Sequence, residues 1–230
     1  TPLLIKALTR RGRAQAIRIS EGNIKYPEHQ AKIGTPSMGG LSILGGSIVG
    51  YVMAHLILWR PPTLSAVFAL SLMLGLAAVG FADDYLKIYK QNSRGIRART
   101  KLLGQALVAF IFGYFVINYA DEYGRTPGSQ SLSFVRDTNI ILPTVLFLLL
   151  VWFLVTAATN SVNLTDGLDG LAAGAAVLTL GAYILIGVFQ FSQNCSFERT
   201  STCYDVRDPL DLAVFAASVA GACIGFLWWN

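Results

Sequence analysis

The sequence predicts an all-α, polytopic transmembrane helix bundle, and three observations carry that prediction. Of 230 residues, 53% are hydrophobic and 13% charged; with glycine counted in and tyrosine out, about 59% are apolar, against about 45–50% apolar and about 25% charged in soluble domains. Six apolar runs are each long enough for the helix of about 20 residues that a bilayer crossing requires. Basic residues gather in alternate loops between those runs, as the positive-inside rule describes. A mean hydropathy of +0.53 also excludes a disordered chain, which needs low hydrophobicity and high net charge.

Along the chain, the apolar stretch Leu3 to Leu8 is too short to span and reads as the tail of an earlier helix. Lys6, Arg10, Arg11, Arg13, Arg18, Lys25 and Lys32 all precede the first complete span, Met38 to Trp59. The second span, Pro62 to Ala82, runs directly into Asp83 and Asp84. A second basic cluster follows: Lys87, Lys90, Arg94, Arg97, Arg99 and Lys101. The remaining spans are Leu102 to Ala120, Ile140 to Thr159, Leu171 to Phe191 and Leu210 to Trp229. None of the six reads as an alternating strand, and continuous helices satisfy their own backbone in lipid.

Orientation follows from charge and alternation. Segments 9–37, 83–101 and 160–170 face the cytoplasm, and the loops near 60, 121–139 and 192–209 face outward. Segment 160–170 holds no Lys or Arg, so its side rests on counting helices. The five other arginines, Arg60, Arg125, Arg136, Arg199 and Arg207, lie in the outward loops, most of them beside acidic residues. Flanking apolar runs make each basic cluster a membrane feature, which argues against nucleic acid as a partner. No pattern of a cleavable signal peptide is present. The chain thus reads as a single membrane-embedded domain over residues 1–230. Cys195 and Cys203 share one outward loop, where an oxidising compartment would let them pair, although two nearby cysteines can equally stand free. Cys223, inside the last span, reads as a small hydrophobe.

Ionisable groups at membrane depth are costly, and by default functional. Asp83 and Asp84 repel one another near a helix C-terminus, where negative charge is unfavourable. A divalent cation or a shared proton would offset that repulsion, and a solvated interfacial pair is the plainer alternative. In the second polar stretch, Asn160, Asn163, Asp166 and Asp169 recur every third residue. A helix would place them on one broad face, whereas Gly167 and Gly170 favour a backbone break or close approach to a ligand. Amides can read both donors and acceptors of a base or sugar, and carboxylates can accept from an imide or ligate a metal. Helix capping accounts for one or two of these residues, not for all.

A third motif, Lys32 to Gly40, enters the first span with Thr35, Ser37 and Lys32 near a helix start. It reads either as an anion site or as an ordinary N-cap followed by small packing residues. The basic loop from Lys87 to Lys101 can meet substrate phosphates or lipid headgroups, and Lys87 and Lys101, tight against helix ends, are its better substrate candidates. Carboxylates suited to Mg²⁺, lysines suited to phosphate and amides suited to a nucleotide fall together on one face. This combination points to phosphoryl transfer on a nucleotide-activated substrate beside lipid, which relies on positioning and charge stabilisation. No P-loop, GxSxG or HExxH pattern occurs, and His29 and His55 leave little for histidine-based chemistry.

The strings KIGTPSMGG (32–40), GFADDYLK (80–87) followed by TKLLGQ (100–105), and NSVNLTDGLDGLA (160–172) resemble those of the phospho-N-acetylmuramoyl-pentapeptide transferase family. That family is a branch of the polyprenyl-phosphate N-acetylhexosamine-1-phosphate transferases, and the resemblance runs from about residue 9 to the end. It implies transfer of phospho-MurNAc-pentapeptide from UDP-MurNAc-pentapeptide to undecaprenyl phosphate, giving lipid I and UMP with Mg²⁺, at the cytoplasmic face of a bacterial inner membrane. This would be the first membrane step of peptidoglycan synthesis and so part of cell wall biogenesis, cell shape and division. Asp83 and Asp84 match the catalytic pair, Asp83 to deprotonate the lipid phosphate and Asp84 to organise metal or phosphate. Lys32, Ser37, Lys87 and Lys101 match positions lining the nucleotide and diphosphate pocket. Asn160, Asp166, Gly167 and Asp169 match nucleoside-binding and polar core positions, with Asp169 toward the uracil and Asn163 beside them in the same pattern.

The departures are specific. The resemblance implies ten helices, of which six and the tail of another are seen here, so the chain reads as the N-terminal two-thirds. A third essential Asp that is the family's main Mg²⁺ ligand, and a His-rich loop, would follow Asn230. Ser37 stands where Thr is commoner, and 6–32 is an unusual version of its loop. The expectation is that this piece alone is inactive, and that a homodimer is one assembly open to the full protein. A sibling transferase using UDP-GlcNAc is the nearest alternative. A transporter is the alternative from another class, but it would place polar groups near mid-span or show an internal repeat, and neither is visible.

Overall fold

Proline punctuates the helices of this chain. In the computed structural model, which describes residues 39–89, 95–121, 124–133, 137–165, 170–195, 203 and 206–229, Pro61 and Pro62 separate the first two helices, Pro143 precedes the fourth and Pro209 opens the sixth. These are positions where a missing N–H is harmless. The helices among the described residues are α1 (Gly40–Leu58), α2 (Leu64–Tyr89), α3 (Ala98–Asn118), α4 (Thr144–Thr165), α5 (Leu171–Ser192) and α6 (Pro209–Leu227). All six are long and apolar enough to cross a membrane. Large apolar side chains point outward along them, including Ile57, Leu103, Leu178 and Leu185, a surface compatible with hydrocarbon and not with water. Trp59 at one end and Trp228 at the other are also exposed, where amphipathic rings suit the two membrane–water interfaces. The chain is therefore a multi-pass membrane protein. The expected tail at Leu3–Leu8 and the basic segment 9–37 lie outside the described residues.

Several boundaries differ from the sequence expectation. Helix α2 does not stop at Ala82 but continues to Tyr89, and α3 starts at Ala98 instead of Leu102. At 26 residues, α2 is about 39 Å long, beyond the hydrocarbon thickness of about 30 Å. The extension holds because Asp83 and Lys87 pair at i,i+4, which stabilises the added turn. Likewise α4 runs on to Thr165, carrying Asn160 and Asn163 as helical residues. At its other end Ile140 and Ile141 belong to a strand: β1 (Ser131–Ser133) pairs antiparallel with β2 (Asp137–Ile141). This hairpin lies in a loop where no strand was expected.

Packing divides the helices into two neighbourhoods. Helix α6 lies along both α1 and α5, while α3 lies along α2 and α4; lighter contacts join α2 to α6 and α4 to α5. Small residues set the approach. A Cβ on Gly46 would come within 3.1 Å of the Ala222 Cβ, and one on Gly187 within 2.9 Å of the Ala213 Cβ. Gly75 of α2 meets Val108 of α3, and Gly113 of α3 meets Leu148 of α4. Such contacts let backbones come close where no hydrophobic force drives helices together.

The end opposite Asp83 is fastened by polar groups. Asp211, 9% exposed, accepts hydrogen bonds from the Tyr51 hydroxyl at 3.1 Å and the Thr63 N–H at 2.8 Å. His55 Nε2 lies 2.9 Å from the same carboxylate, and His55 Nδ1 lies 2.8 Å from the Arg60 carbonyl. One side chain of α6 thus joins α1 to the start of α2. Nearby, the Ser65 hydroxyl donates to Asp208 at 2.6 Å, and Arg207 donates to the Tyr119 carbonyl at 2.8 Å and to the Arg125 carbonyl. Cys195 and Cys203, whose pairing the sequence left open, form a disulfide. Cys223 is buried and free, as its span position implied.

Replacing Asp211 by Ala removes the acceptor shared by buried Tyr51 and part-buried His55 and Thr63. The expected cost is about 3–5 kcal/mol, read as a lowered midpoint of thermal unfolding in detergent, with Asp211→Asn intermediate. An unchanged midpoint for Asp211→Ala would show that the cluster does not hold this end together.

Candidate active site

The end of α2, the loop into α3 and the first turns of α3 build the first half of the site. Asp83 is 8% exposed. Its Oδ1 accepts from the Ile96 N–H at 2.7 Å, and its Oδ2 lies 2.7 Å from Lys87 Nζ. Both carboxylate oxygens are thus engaged within the protein. Lys87 reaches Asp84 as well, at 3.4 Å, so a single ammonium bridges two carboxylates that would otherwise repel. Lys101, on the first turn of α3, adds positive charge to the field at Asp83.

Ile96 can donate to Asp83 because of the residue before it. Gly95 has φ +64°, and a Cβ there would lie 2.3 Å from Asp83 Oδ1 and 2.8 Å from the Lys87 Cε. Only glycine combines that left-handed backbone with that approach. The loop therefore closes on the ion pair instead of merely connecting two helices.

Asp84 has a different environment. Its side chain is 40% exposed, and it lines a cleft of about 190 Å³ with Gly40 and Leu44 of α1 and Ala77 and Gly80 of α2. The start of α1, immediately after the GTPS string, is thereby brought beside the second aspartate. Of the two acids, Asp84 is the one with room for a ligand against its carboxylate. Among the described residues no group of three or more His, Cys, Asp or Glu is arranged to hold a metal.

The second half comes from α4. Asn160 Nδ2 donates to Gln105 Oε1 at 3.1 Å and to the Thr156 carbonyl at 2.8 Å, while Gln105 Nε2 donates to the Thr159 hydroxyl at 3.0 Å. Gln105 lies one helical turn after Lys101 on α3, so α3 stands between the carboxylates of α2 and the amides of α4. Asn163 is exposed near the end of α4. Deeper on α4, the Trp152 indole N–H and the Thr156 hydroxyl are buried without a hydrogen-bond partner among the described residues, a cost of about 1–3 kcal/mol each.

Of the residues singled out from sequence, Asp83, Asp84, Lys87, Lys101, Asn160 and Asn163 are at this end of the bundle. Lys32, Ser37, Asp166, Gly167 and Asp169 lie outside the described residues. Gly170, which follows them, has φ +76°, consistent with a backbone turn before α5. Sequence reasoning missed Gln105, Gly95 and the Ile96 amide. A lone amide among apolar residues at the start of a span was the available signal for Gln105; a backbone N–H has none.

Residues 66–230 match the pattern of glycosyl transferase family 4. The chain is 48% identical over 234 residues to the phospho-N-acetylmuramoyl-pentapeptide-transferase of Streptomyces avermitilis. It is 47% identical over 236 residues to the protein of that name from Nocardioides sp., and 45% over 242 residues to that of Corynebacterium efficiens. Each alignment takes in the whole of this chain, which spans 64–65% of the length of these relatives.

Gly95→Ala is expected to destabilise the fold by about 1–3 kcal/mol through strained backbone and displacement of Asp83. Gly124 supplies the control: its φ is +76° but a Cβ there meets nothing within 4 Å among the described residues. Gly124→Ala should carry only the backbone penalty of about 1 kcal/mol. Equal shifts in thermal midpoint for the two variants would remove the close approach to Asp83 as the cause.

Proposed function

The chain belongs to glycosyl transferase family 4, and from the names of its relatives we propose that the full-length protein carries out the reaction for which they are named. Phospho-MurNAc-pentapeptide passes from its UDP carrier to undecaprenyl phosphate. An oxygen of the lipid phosphate bonds to the sugar-bearing phosphorus, the P–O bond to the UMP phosphate breaks, and lipid I and UMP result. The Asp83 end of the bundle faces the cytoplasm of a bacterial inner membrane, where the soluble nucleotide and the membrane lipid can meet. The observation that carries the proposal is the pairing of an engaged Asp83 and an accessible Asp84 under one lysine, in a helix whose apolar part ends there.

Lys87 and Lys101 offset the charge of the diphosphate and of the lipid phosphate. Since a phosphate's second pKa is about 6, the acceptor is largely ionised at neutral pH, and little base catalysis is required. Positioning and charge stabilisation carry the reaction. Asp83, held by Ile96 and Lys87, fixes the ammonium between the two acids, and Asp84 presents its carboxylate to the cleft. Mg²⁺ commonly binds through one or two carboxylates plus substrate phosphates, and the exposed carboxylate of Asp84 fits that habit. Bound there, the ion would neutralise charge on the diphosphate. Asn163, together with Lys32, Ser37, Asp166, Gly167 and Asp169, is assigned to the nucleotide and diphosphate.

Exchange of radiolabelled UMP by the full-length protein tests this reading. Exchange with UDP-MurNAc-pentapeptide but not with UDP-GlcNAc is expected, whereas a transporter would exchange neither. Asp84→Asn should lower kcat by about a hundredfold or more, the scale of losing a principal electrostatic group. Asp83→Asn should lower exchange to a similar degree, and also lower the thermal midpoint because Lys87 loses its ion-pair partner. Full activity in either variant would sink the site assignment.

A further inference from the structure

We propose that Gln105 is a positioning residue for the nucleotide-binding end of α4, acting through Asn160; this rests on the transferase reading above. Gln105 is 3% exposed within a membrane-spanning helix, where a leucine of similar size would pack without any polar requirement. Its amide is used at both ends: the NH₂ group donates to the Thr159 hydroxyl, and the carbonyl accepts from Asn160. Thr159 in turn donates to the Val155 carbonyl at 2.7 Å. The three side chains therefore interlock with one direction of donation, and only one rotation of α4 against α3 satisfies them.

The consequence for Asn160 is specific. Its two amide hydrogens go to Gln105 and to the Thr156 carbonyl, so it cannot offer a donor to a base or sugar, and only Oδ1 remains as an acceptor. Asn160 is thus part of the clamp more than of the reading face. With 3.6 residues per turn, the rotation fixed at Asn160 determines where Asn163 points and where the chain leaves α4 at Thr165. Among the described residues, α3 is the main neighbour of α4 and α5 touches it only lightly, so no other described contact sets that rotation as firmly. The unpartnered Trp152 and Thr156 atoms deeper on α4 mark a polar stripe satisfied only at its site-proximal end.

The test uses the full-length protein. Gln105→Leu should raise KM for UDP-MurNAc-pentapeptide in UMP exchange by about tenfold, the lower range for losing a supporting hydrogen-bond partner, with kcat nearly unchanged. Gln105→Leu combined with Asn160→Leu should raise KM no further than the larger single effect, because the two share one interaction. A purely structural role would reduce folded protein and leave KM alone. An unchanged KM in Gln105→Leu, or single effects that multiply, overturns the proposal. A second readout needs no activity: maleimide labelling of Asn163→Cys in detergent-solubilised protein, read against the unsubstituted protein as background, with Cys195 and Cys203 paired and Cys223 buried. Adding Gln105→Leu should change its labelling rate severalfold, and an equal rate counts against the clamp. If the wild-type protein exchanges no UMP, the transferase reading falls and the labelling result alone decides this one.

Discussion

Hydrocarbon offers no hydrogen bonds, so polar side chains along these helices are favoured where they find a partner in the protein or where a helix reaches water, with Trp152 and Thr156 as exceptions among the described residues. The distribution of polar groups follows from that constraint. At one end Asp211 draws in Tyr51, His55 and Thr63; at the other Asp83 draws in Lys87 and Ile96. Between them the helices meet through glycine, alanine and valine, which need no partner. The two polar ends do different work: the first is closed on itself, whereas the second leaves Asp84 beside a cleft.

The inequality of the two adjacent aspartates is the central property of the candidate site. Consecutive residues on a helix are about 100° apart, so Asp83 and Asp84 cannot share an environment. Asp83 turns toward the loop before α3 and is consumed by it; Asp84 turns toward the start of α1. Lys87, one turn later, reaches both. A rigid acid that orients the Lys87 ammonium and an accessible acid beside a cleft are thus produced from one dipeptide by helical geometry. The Gly95 turn completes the arrangement, since any side chain there would occupy the space of the Asp83 carboxylate.

Much of this was legible from residues alone. Apolar runs located every described helix, because crossing a bilayer demands length and composition that leave a plain trace. Asp83 and Asp84 were legible because charge at membrane depth is expensive, and Asn160 and Asn163 because their spacing repeats. Helix ends were less legible: α2 outruns Ala82 because an ion pair, not an apolar residue, sustains its last turns. The 131–141 hairpin escaped notice because its strands are short and only partly alternating. Gln105, the Ile96 amide and the Asp211 cluster were missed for a common reason, that their partners are 13 to 160 residues away in the chain.

By itself, then, the sequence determined a membrane bundle, the order of its helices, and which motifs are candidates for chemistry, since those depend on local composition and spacing. Only the tertiary structure decided which aspartate is engaged and which is accessible, that Asn160 has its donors occupied by Gln105, and that Cys195 meets Cys203. These depend on the directions in which side chains leave neighbouring helices, and no property of a single segment encodes the rotation of one helix against the next.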